Sequence, residues 1–71
     1  MRGTVKWFNN QKGYGFITDS EGRGDIFVHY TGIVKDGYKV LKDGQLVEYG
    51  IIDVERGLQA VNVEVISKED K

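Results

Sequence analysis

Valine and isoleucine recur at a spacing of two along most of this chain, as in Ile26-Phe27-Val28, Val47-Glu48-Tyr49-Gly50-Ile51 and Val61-Asn62-Val63-Glu64-Val65. A strand turns successive side chains to opposite faces, so such a run presents one apolar face and one free face. β-Branched residues suit that pleat and are stiff in a helix. The pattern predicts strands over 4–9, 14–18, 25–29, 46–54 and 59–66, with turn clusters at 10–13, 19–24 and 55–57. The connection 30–45 is longer, contains Gly32, Gly37 and Gly44, and has room for one short helical turn.

Five short strands cannot lie flat, because each open edge invites pairing with another chain. Closing the sheet removes the edges, so the expected fold is all-β, a small five-stranded antiparallel Greek-key β-barrel of the OB type. An SH3-like barrel of similar size fits the same strand count. At 71 residues the chain is expected to be one domain, 1–66, followed by a short polar tail, 67–71.

Several function classes fall away on composition. The chain has no cysteine, no proline and one histidine, so no disulfide framework and no zinc, haem or iron–sulfur ligand set is expected. No apolar run approaches the ~20 residues that a bilayer span requires, and the N-terminus lacks a signal peptide's apolar stretch. The expected location is the cytoplasm, without a membrane partner. Asp19, Glu21 and Asp25 surround a glycine turn with no histidine or second carboxylate pair placed beside them. No Ser/His/Asp order and no phosphate loop is present. The reading is therefore no enzyme, no cofactor and no small-molecule substrate.

The strongest chemical signal lies in the second and third strands. In Tyr14-Gly15-Phe16-Ile17 the two rings share one face and Ile17 the other; in Ile26-Phe27-Val28-His29, Phe27 and His29 share a face opposite Ile26 and Val28. One barrel has one interior. Val5, Ile17, Ile26, Val28, Val47, Ile51 and Val63 make a plausible filling, with Tyr49 beside them and its hydroxyl in need of a partner. That leaves Tyr14, Phe16, Phe27 and His29 facing water side by side. Clustered exposed rings mark a binding surface, and a base can stack on each of them. The bland alternative is a second small core against the long connection. Trp7 and Phe8 are adjacent, so at most one of them belongs to the core. Tyr30 and Tyr38 lie in the long connection, where a tyrosine often just caps a barrel end. Arg56, in a tight hairpin, is either a phosphate contact or a solvated turn residue. The glycines flanking the rings either admit a ligand's backbone or mark a bend at a barrel corner.

Charge is unevenly placed. The total is −1, yet residues 1–18 carry Arg2, Lys6 and Lys12 with no acid, whereas residues 43–71 carry seven acids against three bases. A near-neutral chain can thus present one basic and one acidic face. Lys6 and Lys12 sit close in sequence to the rings and can meet phosphates without reading sequence.

These segments resemble the bacterial cold-shock protein family. Lys12-Gly13-Tyr14-Gly15-Phe16-Ile17 is similar to that family's first ribonucleoprotein motif, and Ile26-Phe27-Val28-His29-Tyr30 to its second. The opening Gly3-Thr4-Val5-Lys6-Trp7-Phe8-Asn9, Gly44-Gln45 and Arg56-Gly57-Leu58-Gln59-Ala60 also follow its pattern, so the likeness covers nearly the whole chain. An RRM carries the same two motifs in reverse order and requires helices that this sequence does not encode. The resemblance implies a non-catalytic binder of single-stranded RNA and DNA, acting as an RNA chaperone with effects on transcription and translation. Carried over residue by residue, it implies contacts from Lys6, Trp7, Phe8, Asn9, Lys12, Tyr14, Phe16, Asp25, Phe27, His29, Tyr30, Tyr38 and Arg56. Its competitor is an SH3-like interaction barrel gripping a proline-rich peptide with the same rings. Such grooves want acidic residues among the rings, where this chain has lysines and a histidine.

The sequence departs from the family in places. Leu58 stands where proline is usual, and Tyr14, Tyr30 and Tyr38 stand where phenylalanine is common. Thr31-Gly32 replaces a Ser-Ala pair, which is expected to loosen the start of the long connection. Ile52 and Val54 add apolar surface that would support a dimer or strand-exchanged form of an otherwise monomeric protein.

Overall fold

A computed structural model of the chain describes residues 1–34 and 40–66. Five strands, β1 (Arg2–Asn9), β2 (Tyr14–Asp19), β3 (Asp25–His29), β4 (Leu46–Val54) and β5 (Gly57–Val65), form a closed barrel in the order β1-β2-β3-β5-β4. The two middle expectations, 25–29 and 46–54, match the observed bounds. β1 begins two residues earlier than expected because Arg2, Gly3 and Thr4 pair with Glu48, Val47 and Leu46, which closes the barrel. β5 also begins earlier, since Gly57 pairs with Val54 directly across the turn at Glu55 and Arg56. The expected helical turn is a single 3-10 turn at Tyr30–Gly32. One pairing departs from an all-antiparallel sheet: β3 meets β5 in parallel at Phe27 and Gln59. The expected tail, 67–71, lies outside the described residues.

The interior is aliphatic, as the alternation requires. Val5, Ile17, Ile26, Val28, Val47 and Val63 are all buried, and Ile51 packs against them at the margin. Burying each such side chain fully is worth about 1.5–3 kcal/mol. Phe8, Ile33, Leu41, Tyr49 and Ala60 complete the core. Ile33 and Leu41 come from the long connection, and Ile33 reaches the barrel by bridging to Val63.

At one end of the barrel sits a buried carboxylate. The side chain of Asp19 is fully enclosed, and it accepts from the Tyr49 hydroxyl, from the Arg23 guanidinium at 2.7 Å and from the Glu21 N–H at 2.9 Å. The Tyr49 hydroxyl first, then Arg23 and the backbone donors, hold its pKa down at about 2 despite the opposing effect of burial. Burial, and then the bond to Asp19, push the Tyr49 hydroxyl well above the usual phenol range. Tyr49 is thus interior as expected, and Asp19 is the partner its hydroxyl needed.

Candidate functional site

The ring-lined face begins with an irregularity in β1. Val5 pairs with Ile17 and Trp7 with Phe16, so Lys6 and Trp7 together oppose one residue of β2. Strict alternation from the buried Val5 would send Trp7 inward. The extra residue inverts the phase, turns Lys6 and Trp7 both outward and sends Phe8 inward. Trp7 is accordingly 37% exposed while Phe8 is 9% exposed and belongs to the core. Phe8, which the resemblance implies as a contact residue, thus has its ring packed in the core.

Pairing of β2 with β3 sets the other rings. Phe16 stands opposite Phe27, and Tyr14 opposite His29, so all four project from one face. Ring centroids lie 5.5 Å apart for Trp7 and Phe16, 5.8 Å for Trp7 and Tyr14, 5.7 Å for Phe16 and Phe27, and 6.0 Å for Tyr14 and Phe27. Each ring of this group of four touches two others, mostly edge-on or tilted, a favourable aromatic geometry. Tyr14, Phe16, Phe27 and His29 remain half-buried and not enclosed. Tyr30 follows directly, 46% exposed, with its ring centroid 4.7 Å from that of His29.

The glycines flanking these rings serve the barrel's own packing. Gly15 is buried on the side away from the rings, where a Cβ would strike the Trp7 carbonyl and lie 2.7 Å from Phe8 Cα. Its missing side chain lets β1 cross closely. Gly13 has φ +80°, and a Cβ there would stand 2.6 Å from the Tyr30 ring. Tyr30 is seated on Gly13 and donates its N–H to the Gly13 carbonyl at 2.8 Å.

On its far side the face opens into a groove of about 530 Å³ lined by Tyr14, Phe16, Phe27, Val54, Leu58 and Arg56, with Glu55 and Gln59 also at its wall. That volume falls within the roughly 300–1,000 Å³ of small-ligand sites. The β4–β5 hairpin thus supplies a second wall to the rings. Sequence reasoning named Arg56 there as a site residue; it noted Val54 only as added apolar surface and Leu58 only as standing where proline is usual, and gave Glu55 and Gln59 no role. The available signal was Val54 and Ile52 alternating outward on β4, where Ile52 is 44% exposed.

The polar residues divide. Lys6 Nζ pairs with Asp25 at 2.7 Å, both side chains about half exposed. Such a pair contributes only about 0.2–1 kcal/mol. The side-chain Oδ1 of Asn9 accepts from the N–H groups of Gln11 and Lys12 at 3.0 and 2.9 Å, which fastens the turn that carries the exposed Lys12. That oxygen is therefore occupied within the chain. Tyr38 lies outside the described residues. At the start of the long connection Thr31 hydrogen-bonds the His29 ring, and the 3-10 turn closes with Ile33 N–H on the Tyr30 carbonyl at 3.1 Å. Among the described residues no group of three His, Cys, Asp or Glu side chains converges as a metal site, and no helix is long and apolar enough to cross a membrane.

Comparison with known proteins gives a consistent answer. The family model of the "'Cold-shock' DNA-binding domain" matches residues 1–66. A cold shock-like protein of Thermotoga maritima is 54% identical over 66 residues, covering 93% of this chain and 98% of that protein. Cold shock protein CspA of Staphylococcus aureus is 55% identical over 62 residues, covering 87% of this chain and 92% of its own. Among solved structures, drosophila Unr CSD456 superposes with a TM-score of 0.76 at 24% identity, covering 93% of this chain. This chain spans 26% of that one, and the likeness shows the fold alone.

Proposed function

The chain belongs to the cold-shock domain family of nucleic-acid-binding proteins, and from that premise we propose that its ring-lined face binds unpaired strands of RNA and DNA. One observation carries this reading: Trp7, Tyr14, Phe16 and Phe27 form a connected, partly exposed group on the outside of a barrel whose aliphatic residues already fill the inside. Each unpaired base stacked on such a ring contributes roughly 1–3 kcal/mol, whatever its identity. A base within a duplex offers no free π-face, so the preference is for single strands. Lys6, Lys12 and Arg56 meet phosphates along the path, and Asp25 holds Lys6 in place until a phosphate takes over. His29 and Tyr30 extend the platform, and Tyr38 would add a further ring.

The proposed role is that of an RNA chaperone in the cytoplasm. Several individually modest stacking contacts trap a strand whenever it opens and release it again without any chemical step. Such a protein lowers the stability of hairpins in transcripts, and through them acts on transcription and translation. Nothing in the proposal calls for catalysis or a cofactor.

Trp7 provides the test. Titration of its fluorescence with a short oligothymidine, repeated with the matching duplex and at two salt concentrations, is expected to show quenching by the single strand alone and a modest loss of affinity with salt. Equal duplex binding with a steep salt dependence would mean general phosphate attraction. Absence of binding in a parallel anisotropy titration would overturn the reading.

A further inference from the structure

His29 is the single histidine of the chain and stands half-buried on the ring-lined face opposite Tyr14. One of its ring nitrogens is already committed. The imidazole caps the 3-10 turn Tyr30–Gly32: the Thr31 N–H approaches Nδ1 at 3.4 Å and Thr31 Oγ1 lies 2.9 Å from the same atom. A backbone N–H can only donate, so this long contact favours a lone pair on Nδ1. The Thr31 hydroxyl, which can play either part, then donates as well. In the neutral imidazole the one ring proton is thereby assigned to Nε2.

The ring is held in this orientation from its other side too. Tyr30 lies across it with a 4.7 Å centroid separation and a 40° interplanar angle, and Tyr30 is itself seated on Gly13. Turning the imidazole over would bring a carbon against Thr31 and leave both of its donors unmet. The hydrogen bonds that the ring makes among the described residues all use Nδ1.

We propose that Thr31 is a positioning residue that locks His29 in the Nε2–H tautomer, so that this corner of the face offers a fixed donor to a carbonyl oxygen of an unpaired base. The inference rests on the single-strand reading above. Stacking accepts every base, whereas a fixed donor favours a base that turns an acceptor toward it. Both pyrimidines carry O2, so the discrimination arises at the position-4 edge, where thymine presents the O4 acceptor and cytosine an N4 amino donor; with that edge at this corner, cytosine sets donor against donor.

Two measurements decide it. Long-range ¹⁵N spectra of the His29 ring in the free protein, recorded on the neutral imidazole, are expected to show a proton on Nε2 and a bare Nδ1. Affinities for oligothymidine and oligodeoxycytidine are then compared in the native protein, Thr31→Ser, Thr31→Val and His29→Phe. One oriented hydrogen bond corresponds to a ratio of about threefold to tenfold in favour of thymidine. Thr31→Ser keeps the hydroxyl and is expected to keep that ratio. Thr31→Val preserves shape without the hydroxyl and is expected to reduce it, and His29→Phe preserves stacking without the donor and brings it near one. A proton on Nδ1 in the free native protein overturns the proposal, whatever the variants do. An unchanged ratio in both Thr31→Val and His29→Phe also overturns it. Failure of the native protein to bind either oligonucleotide would instead refute the single-strand reading, and the tautomer is still read from the free protein.

Discussion

On the face built by β1, β2 and β3, four rings keep part of their surface in water and lean on one another. At the end of the barrel around Asp19, a charged group is wholly enclosed and accepts from a hydroxyl, a guanidinium and backbone N–H groups. Both regions hold groups in surroundings they would not choose alone, but they resolve the conflict differently. Asp19 is satisfied within the chain, by Tyr49 from β4 and by Arg23 from the turn after β2. The rings are covered only in part, and in the proposed function a stacked base covers the rest. A region complete in itself serves stability, and a region left incomplete is free to bind.

That contrast can be broken most forcefully at Tyr49. Tyr49→Phe keeps the ring and removes the donor, leaving the buried carboxylate short of its principal partner. The expected cost is about 1.5–3 kcal/mol, typical of a hydrogen bond to a charged group, read by urea unfolding, with oligothymidine affinity unchanged in the folded protein. If the variant instead lost affinity while keeping its stability, the division of labour between the two regions would be wrong.

The converse is expected at Phe27. Phe27→Ala should weaken binding of a single strand by about 1–3 kcal/mol, measured by anisotropy, and shift the unfolding midpoint less than Tyr49→Phe does. A protein that unfolds yet retains its affinity would make Phe27 a core residue.

Acid titration sharpens the comparison from the side of Asp19. Its folded pKa is depressed to about 2 from an ordinary 3.8, so between these values the unfolded chain binds the proton that the folded one refuses. Stability from this site is therefore fully present above about pH 4 and is lost as pH falls toward about 2. The slope of unfolding free energy against pH in that window is expected to be shallower in Asp19→Asn than in the native protein. Equal slopes would exclude Asp19 as its source.

The smallest effects are expected at exposed charges. Asp25→Asn frees Lys6 from its 2.7 Å partner and should tighten single-strand binding by about 0.2–1 kcal/mol at low salt, with a steeper salt dependence. Unchanged affinity and slope would leave Lys6 outside the phosphate path.

Much of this arrangement could be read along the chain. The strands and the segregation of Tyr14, Phe16, Phe27 and His29 from Ile17, Ile26 and Val28 follow from a period of two, which each strand displays within its own few residues. The membership of Val5, Val47 and Val63 in the core follows from the same period, because a small barrel has one interior and apolar burial decides which face fills it. The two motifs in Lys12–Ile17 and Ile26–Tyr30 were sufficient to bring the family into view.

Other features depend on residues far apart in the sequence. Whether Trp7 or Phe8 turned inward hung on one extra residue in β1, which becomes visible only when β1 is paired with β2. Asp19 reads as one more acid in a glycine-rich turn, and its burial is imposed by Tyr49, 30 positions further on. The groove wall from Val54 to Gln59 exists because the β4–β5 hairpin returns beside β3. Local periodicity, then, determined the strands and the two faces, since neighbouring side chains must alternate. Tertiary structure alone decided the phase of β1, the partner of Asp19 and the shape of the groove, since each depends on a contact between segments whose sequences carry no sign of one another.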